Sequence, residues 1–434
     1  LVSLVPVRFT LLQLAATPAN SLTAHHDKRL ILLVEMRGRS SLHSRVLDLI
    51  LVGGGLAHGL LAWRLLQTRP DVAFVVIEAG PTLGGNHTWS FHGTDVTGEQ
   101  LEWLWVLAAK SWPSHDVIFK TGDRRIGGGY HSITSEGFHW KLKEQLKDRL
   151  RLKTKVTSLT STSVTLSTGE TLEAKAVIDG RGFSSTPDWP CGYQKFLGMD
   201  VELTTPHGLE VPLLMDGRVE QHGAFRFVYL LPWDDKRVLI EDTYYADTAG
   251  LDLDVLRARI RLYLKERGLE IATVHREESA ALPIPLTGDA PTFDRPTLGV
   301  GGGFFHATTG YSLPFAVELA HEVAKRTSFD AAELTPWLQG WAKRHWASQG
   351  FFRLLNRMLF KGADPDERIR IFESFYRHDE SLIAHFYAGR LTNFDILKVL
   401  ARGSKTVPFP RAFKASLGLG VRSTADADPP PPAG

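Results

Sequence analysis

Two stretches of the 434-residue chain carry residue types whose spacing suits chemistry. In Leu239-Ile240-Glu241-Asp242-Thr243-Tyr244-Tyr245, two acids adjoin inside an apolar and aromatic run of strand character. Neighbours on a strand point to opposite faces, so one of Glu241 and Asp242 can enter a cavity while the other is held in the wall or solvated. A carboxyl group in an apolar cavity keeps its proton to higher pH and can serve as a general acid near neutrality. A solvated acidic strand end is the alternative for any Glu-Asp pair. The second stretch, Gly53-Gly54-Gly55-Leu56-Ala57-His58-Gly59, is a glycine turn of the kind that brings backbone N–H groups up to an anion.

The elements around the turn decide what that anion is. Residues 48–52 form a short apolar run, as in a buried parallel strand. Leu56, Leu60, Trp63 and Leu66 then recur at helical spacing, and residues 73–77 form a second buried strand that ends on Glu78. Strand, glycine turn, helix, strand and acid make up the dinucleotide-binding unit. Gly53 allows the tight turn, Gly55 the approach of a pyrophosphate, and Glu78 hydrogen bonds from an adenosine ribose. Ala57, His58 and Ala79 complete the candidate contacts. His58 stands where a third glycine normally permits close helix–strand packing, with Gly59 directly behind it, so a looser motif is expected. The loop 80–86 suits a cover for an extended FAD, with Gly85 and Asn86 as contacts; a plain surface turn is the other reading. Residues 176–182 should return to the sheet beside the first strand, bringing Asp179 and Gly180 near the cofactor. A second glycine-dense stretch, 299–314, enters a helix at 314–326 and offers Gly303, Thr309 and Gly310 as flavin or anion contacts.

The expected fold is α/β: a Rossmann-like FAD/NAD(P)-binding domain over 46–192 and 286–330, with a mostly antiparallel substrate sheet inserted at 193–285. A helical, membrane-facing region follows at 331–424. Near-zero net charge gives no sign of a nucleic-acid partner, and the single Cys191 excludes an internal disulfide and a cysteine-built metal site. No metal ligand set is expected, and no apolar run reaches the length of a bilayer span. His131, His139, His222 and His306 read as structural, and Lys343-Arg344-His345 as a solvated helix face. Phe351 to Lys361 combines large apolar residues with Arg353, Arg357 and Lys361 at four-residue spacing. That pattern suits a helix lying in a bilayer interface and, equally, a core helix with a basic edge. Residues 1–45 read as a poorly packed extension, with Met36 a suspected start and a signal peptide the other reading. The proline-rich 425–434 reads as a disordered tail.

Residues 48–410 resemble the bacterial lycopene β-cyclases. The resemblance rests on Gly84-Gly85-Asn86-His87-Thr88-Trp89-Ser90-Phe91-His92, Val177 to Gly182, Arg226-Phe227-Val228-Tyr229, Leu239 to Tyr244, Phe305-His306 with Thr308 to Pro314, Phe351 to Phe360, and Phe386-Tyr387-Ala388-Gly389-Arg390. Three positions depart from the family pattern: His58 replaces Asn, Gly301 replaces Arg and Ala307 replaces Pro. The resemblance implies reduced FAD with NAD(P)H as reductant, and lycopene or another acyclic carotenoid as substrate. It also implies a peripheral place on the cytoplasmic membrane face and a redox-neutral cyclisation with Glu241 as general acid. Asp242 would orient Glu241 or the local backbone. A flavin monooxygenase and a catalytically silent carotenoid-binding flavoprotein are the rival readings. Ring type is favoured as β by the resemblance alone, and the number of ends cyclised and the oligomeric state stay open.

Overall fold

The computed structural model describes residues 46–183 and 189–403, with Pro410 and Lys414. The expected extension at 1–45 and tail at 425–434 lie outside the described residues.

The chain begins with β1 (Leu47–Val52), α1 (Leu56–Thr68) and β2 (Phe74–Ile77). It continues through β3 (Thr88–His92), α2 (Gly98–Leu104), β4 (Lys110–Trp112), β5 (His115–Phe119), β6 (Gly122–Ile126), β7 (Tyr130–Thr134) and α3 (Ser135–Leu146). β8 (Leu150–Arg151), β9 (Val156–Leu159), β10 (Ser163–Leu166) and β11 (Thr171–Asp179) follow. A six-stranded sheet in the order β8-β2-β1-β11-β10-β9 is parallel through its first four strands and antiparallel beyond. Leu49, Ile50 and Leu51 are fully buried on both faces of β1, which explains why the strand shows no alternation. Val52 lies opposite both Ile77 and Asp179, so the ends of three adjacent strands bring the Gly53 turn, Glu78 and Gly180 to one sheet edge.

The second sheet comprises β12 (Cys191–Leu203), β13 (Leu213–Asp216), β14 (Phe225–Pro232) and β15 (Arg237–Ala246), then, after α4 (Leu253–Lys265), β16 (Ile271–Pro285). Its order is β16-β12-β15-β14-β13-β5-β6, antiparallel except where β13 meets β5. The β5–β6 pair, expected with the nucleotide half, thus extends the second sheet. His115, Val117 and Phe119 alternate inward, and Val117 and Phe119 join the core made by Met215 and Phe227. β3, β7 and β4 form a separate three-stranded sheet.

The remainder is helical: α5 (Leu313–Ala324), α6 (Ala331–Ser348), α7 (Gly350–Arg357) with a π-helical turn at Met358–Gly362, α8 (Arg368–Phe375), α9 (Glu380–Tyr387) and α10 (Asn393–Gly403). No helix among the described residues is long and apolar enough to cross a membrane. The stretch 351–361 packs partly into the interior. Phe352, Leu359 and Phe360 are buried. Arg353 donates to the Trp346 carbonyl at 2.7 Å and Arg357 to that of Leu286 at 2.7 Å. Both cations therefore reach internal carbonyls.

Arg368 on α8 ties these helices to the second sheet. It is 1 % exposed and donates to the carbonyls of Leu359 and Tyr245 (both 3.2 Å) and Phe360 (3.3 Å), and to the Asp247 carboxylate at 2.8 Å. Arg368→Ala strands the three buried carbonyls and should lower unfolding stability by about 3–5 kcal/mol, read from urea denaturation.

Candidate active site

Two cavities meet at the face of the second sheet. The larger, about 900 Å³, runs along the glycine turns, and the smaller, about 270 Å³, lies between the sheet and α8 to α10. Glu241, Thr88, Ser90, Gln194, Thr309 and Tyr387 line both.

Of the residues expected to hold a dinucleotide, Gly53, Gly55, Ala57, Glu78, Ala79, Gly85, Gly180, Thr309 and Gly310 line the larger cavity. Gly53 has φ +95°, and a Cβ on it would stand 3.0 Å from the Gly180 carbonyl oxygen. Gly55 is the N-cap of α1, carries no side-chain cap and has open space where a Cβ would be. The Glu78 carboxylate accepts the N–H groups of Gly54 (2.5 Å) and Gly80 (2.6 Å), fixing the acid beside the turn.

His58, Asn86, Asp179 and Gly303 lie outside the lining of that cavity, and each is engaged elsewhere. The His58 ring turns inward and is buried. Its Nδ1 donates to the Gly53 carbonyl at 2.9 Å, and burial lowers its pKa to about 4, so the ring is neutral. The close approach lost at His58 is restored from the other side. A Cβ on Gly180 would sit 2.4 Å from the ring, while Gly59 admits the Phe138 ring of α3. The motif is therefore tight rather than loosened. Asn86 donates to the Glu277 carbonyl at 2.7 Å, Asp179 pairs with Arg181 at 2.8 Å, and Gly303 packs on Pro291.

The acidic pair separates as strand geometry demands. Asp242 faces α4 and is fully buried, accepting from Arg226 Nε at 2.6 Å and Tyr244 OH at 2.8 Å. It lines neither cavity, and its carboxylate forms an ion pair with Arg226 in the opposite face of the sheet from Glu241. Glu241 points the other way, and its accessible part opens onto the cavities. Its Oε1 accepts from Thr243 Oγ1 at 2.5 Å, and no cation pairs with it among the described residues. Desolvation, with lesser contributions from Glu278 and Asp242, pushes its pKa up to about 8. At neutral pH Glu241 is an uncharged acid.

Sequence reasoning missed the groups around it. Tyr229 lies opposite Glu241 on β14, donates to Ser90 at 2.9 Å and shares a hydrogen bond with Tyr130 at 3.1 Å. Glu278 on β16 lines the smaller cavity and is paired with Arg276 at 2.6 Å. Only the strand register reveals it.

A match to the family described as "Lycopene cyclase protein" covers residues 48–413. The chain belongs to the lycopene cyclase family. Among its relatives, the lycopene beta-cyclase of Pseudescherichia vulneris is 46 % identical over 375 residues, spanning 85 % of this chain and 97 % of the relative. The lycopene beta-cyclase of Pantoea ananas is 44 % identical over 372 residues, with the same coverage. Among solved structures, a flavin-dependent halogenase from Xanthomonas campestris shares the fold, with a TM-score of 0.53 and 12 % identity. It covers 89 % of this chain and 100 % of the halogenase.

The two acids of this family member should respond oppositely to substitution. Asp242→Ala leaves Arg226 charged and unpaired in the core and should cost about 3–5 kcal/mol. Glu241→Gln removes a desolvated ionisable group and should leave stability unchanged or raised at pH 7 and above. Paired urea titrations of the two variants read both effects.

Proposed function

We propose that the chain cyclises the acyclic ψ ends of lycopene to β-ionone rings. The observation that carries this reading is an uncharged carboxyl, Glu241, without a cation partner among the described residues, at the junction of an apolar cavity and a glycine-walled one. Both acid and water exclusion are needed to make a carbocation and keep it from being quenched.

FAD fits the larger cavity. The uncapped α1 N-terminus at Gly55 suits a pyrophosphate, and Glu78 stands where a ribose would follow. Gly53, Gly55, Ala57, Glu78, Ala79, Gly85 and Gly180 would hold its nucleotide half, and Thr309 and Gly310 its ring end. When bound in the form kept reduced by NAD(P)H, FAD supplies electron density that stabilises positive charge without net electron transfer.

The chain's own residues supply the rest. Glu241 delivers its proton to C2 of the ψ end, leaving a tertiary cation at C1 that the C5=C6 double bond attacks. The new C1–C6 bond closes the ring, and loss of the C6 proton leaves the C5=C6 double bond of a β ring. Phe227, Phe372, Phe375, Phe386 and Tyr387 wall the smaller cavity with aromatic faces that favour a cation and exclude water. Its 270 Å³ accommodates an end group rather than the full polyene. Val399 and Leu400 of α10 line it too, and the same helix exposes Phe394 (65 %) and Leu397 (63 %). That arrangement supports α10 as the contact with a lipid surface, through which an apolar substrate enters. Residues 46–192 and 286–330 would serve the cofactor and 193–285 the substrate, with β5 and β6 added to the latter.

Expression in a bacterium that accumulates lycopene should yield γ- or β-carotene on chromatography. In vitro turnover should consume neither oxygen nor stoichiometric NAD(P)H; unchanged lycopene from folded, flavin-loaded protein overturns the reading. Glu241→Gln should cut cyclisation by about 100-fold or more while flavin absorbance is retained. Because the protonated form of Glu241 is the active one, the rate should hold below its pKa of about 8 and fall as pH rises through it. A pH profile of initial rates from 6 to 9.5 reads this limb.

A further inference from the structure

The cyclisation needs a proton acceptor as well as a donor, and the sheet places a second carboxyl beside the first. Gly198 on β12 pairs with Glu241 on β15 and with Glu278 on β16. Residues in one register row point to the same face, so both carboxyl groups rise on the cavity side, and both line the smaller cavity. The residue between them has no side chain. A Cβ on Gly198 would press on Glu278 Cγ at 3.1 Å, so glycine here leaves room for the Glu278 side chain to lie over β12.

Their surroundings differ in the way an acid–base pair requires. Glu241 has a hydroxyl partner, Thr243, and no cation among the described residues. Glu278 is 5 % exposed and is held by the Arg276 guanidinium at 2.6 Å and the Thr88 hydroxyl at 3.3 Å. Burial raises its pKa overall, and the contacts with Arg276 and Thr88, which favour the carboxylate, offset that shift only in part. Arg276 in turn donates to Thr88 Oγ1 at 2.7 Å and Asn86 Oδ1 at 3.0 Å, which fixes the ion pair against the loop that leads into β3.

We propose that Glu278 is the proton acceptor of the reaction, taking the C6 proton of the ring cation across Gly198 from Glu241. The assignment rests on the cyclase reading above. The step balances without any further reactant. Glu241 loses a proton to C2, the C5=C6 electron pair forms C1–C6, and the C6–H bond breaks with its electrons forming the new C5=C6 bond. The released proton lands on the Glu278 carboxylate. Return of a proton from Glu278 to Glu241 resets the pair. A base fixed at one place also selects which proton leaves. Loss from C6 gives a β ring, loss from C4 an ε ring, and loss from the C5 methyl an exocyclic double bond.

The test compares flavin-loaded wild type with Glu278→Gln and Glu278→Asp on lycopene in phospholipid vesicles, with rate and ring type read by chromatography. Glu278→Gln should lower turnover by about 100-fold and spread the residual product over ε or exocyclic rings. Glu278→Asp, which keeps the charge and the Arg276 pair, should recover β-ring formation. Wild-type rate and β-only product from Glu278→Gln overturn the assignment. Equal loss in Glu278→Asp and Glu278→Gln, with β rings alone in the residue, also overturns it, since that pattern belongs to packing. Should Glu278→Gln lose its flavin or unfold, Glu278→Gln with Arg276→Gln removes the ion pair as a unit and faces the same two readouts. Failure of the wild-type chain to cyclise lycopene refutes the cyclase reading itself, a distinct result.

Discussion

A carboxyl group releases its proton only where the resulting charge can be solvated, and the architecture around Glu241 withholds that solvation. The strand that carries it buries alternate residues on both faces. One face rests on α4 and the other on the aromatic residues of α8 and the π-helical turn. No cation was placed beside Glu241, although Arg226 lies one strand away and is bound to Asp242 on the opposite face. Period-two alternation thus puts a paired acid into the wall and an unpaired acid into the cavity from adjacent positions. Arg368, Arg353 and Arg357 show the same economy elsewhere, each spent on internal carbonyls that close the helical cover over the cavity.

Features that depend on neighbours in the chain were legible beforehand. The β1–α1–β2 unit, Glu78, the return of Asp179 beside β1 and the opposed directions of Glu241 and Asp242 all follow from local spacing and strand geometry. Features that depend on register or on packing between distant segments were not. Glu278 becomes visible only when Gly198 is known to pair on both sides. Which carbonyls the arginines of α7 reach is likewise not encoded in a helical stripe of cations. At His58, the motif suggested a defect because the compensating residue, Gly180, is far along the chain.

That exchange shows how a fingerprint can change residues and keep its geometry. The volume normally vacated on the helix side is vacated on the strand side instead, and a neutral imidazole fills the gap while closing the turn on the Gly53 carbonyl. Glycine patterns of dinucleotide sites are thus statements about shared space, which two segments can divide in more than one way.

The interleaving of the sheets has a consequence for how the chain acquires its structure. β5 and β6 are made early, yet β5 finds its parallel partner only when β13 has been synthesised, and Thr297 reaches Asp179 later still. The six strands of the first sheet all lie within residues 47–179, but the second sheet draws β5 and β6 from inside that span, so the free edge of β5 stays open until β13 has emerged. An edge held open in this way is where a nascent chain is most exposed to pairing with another copy of itself.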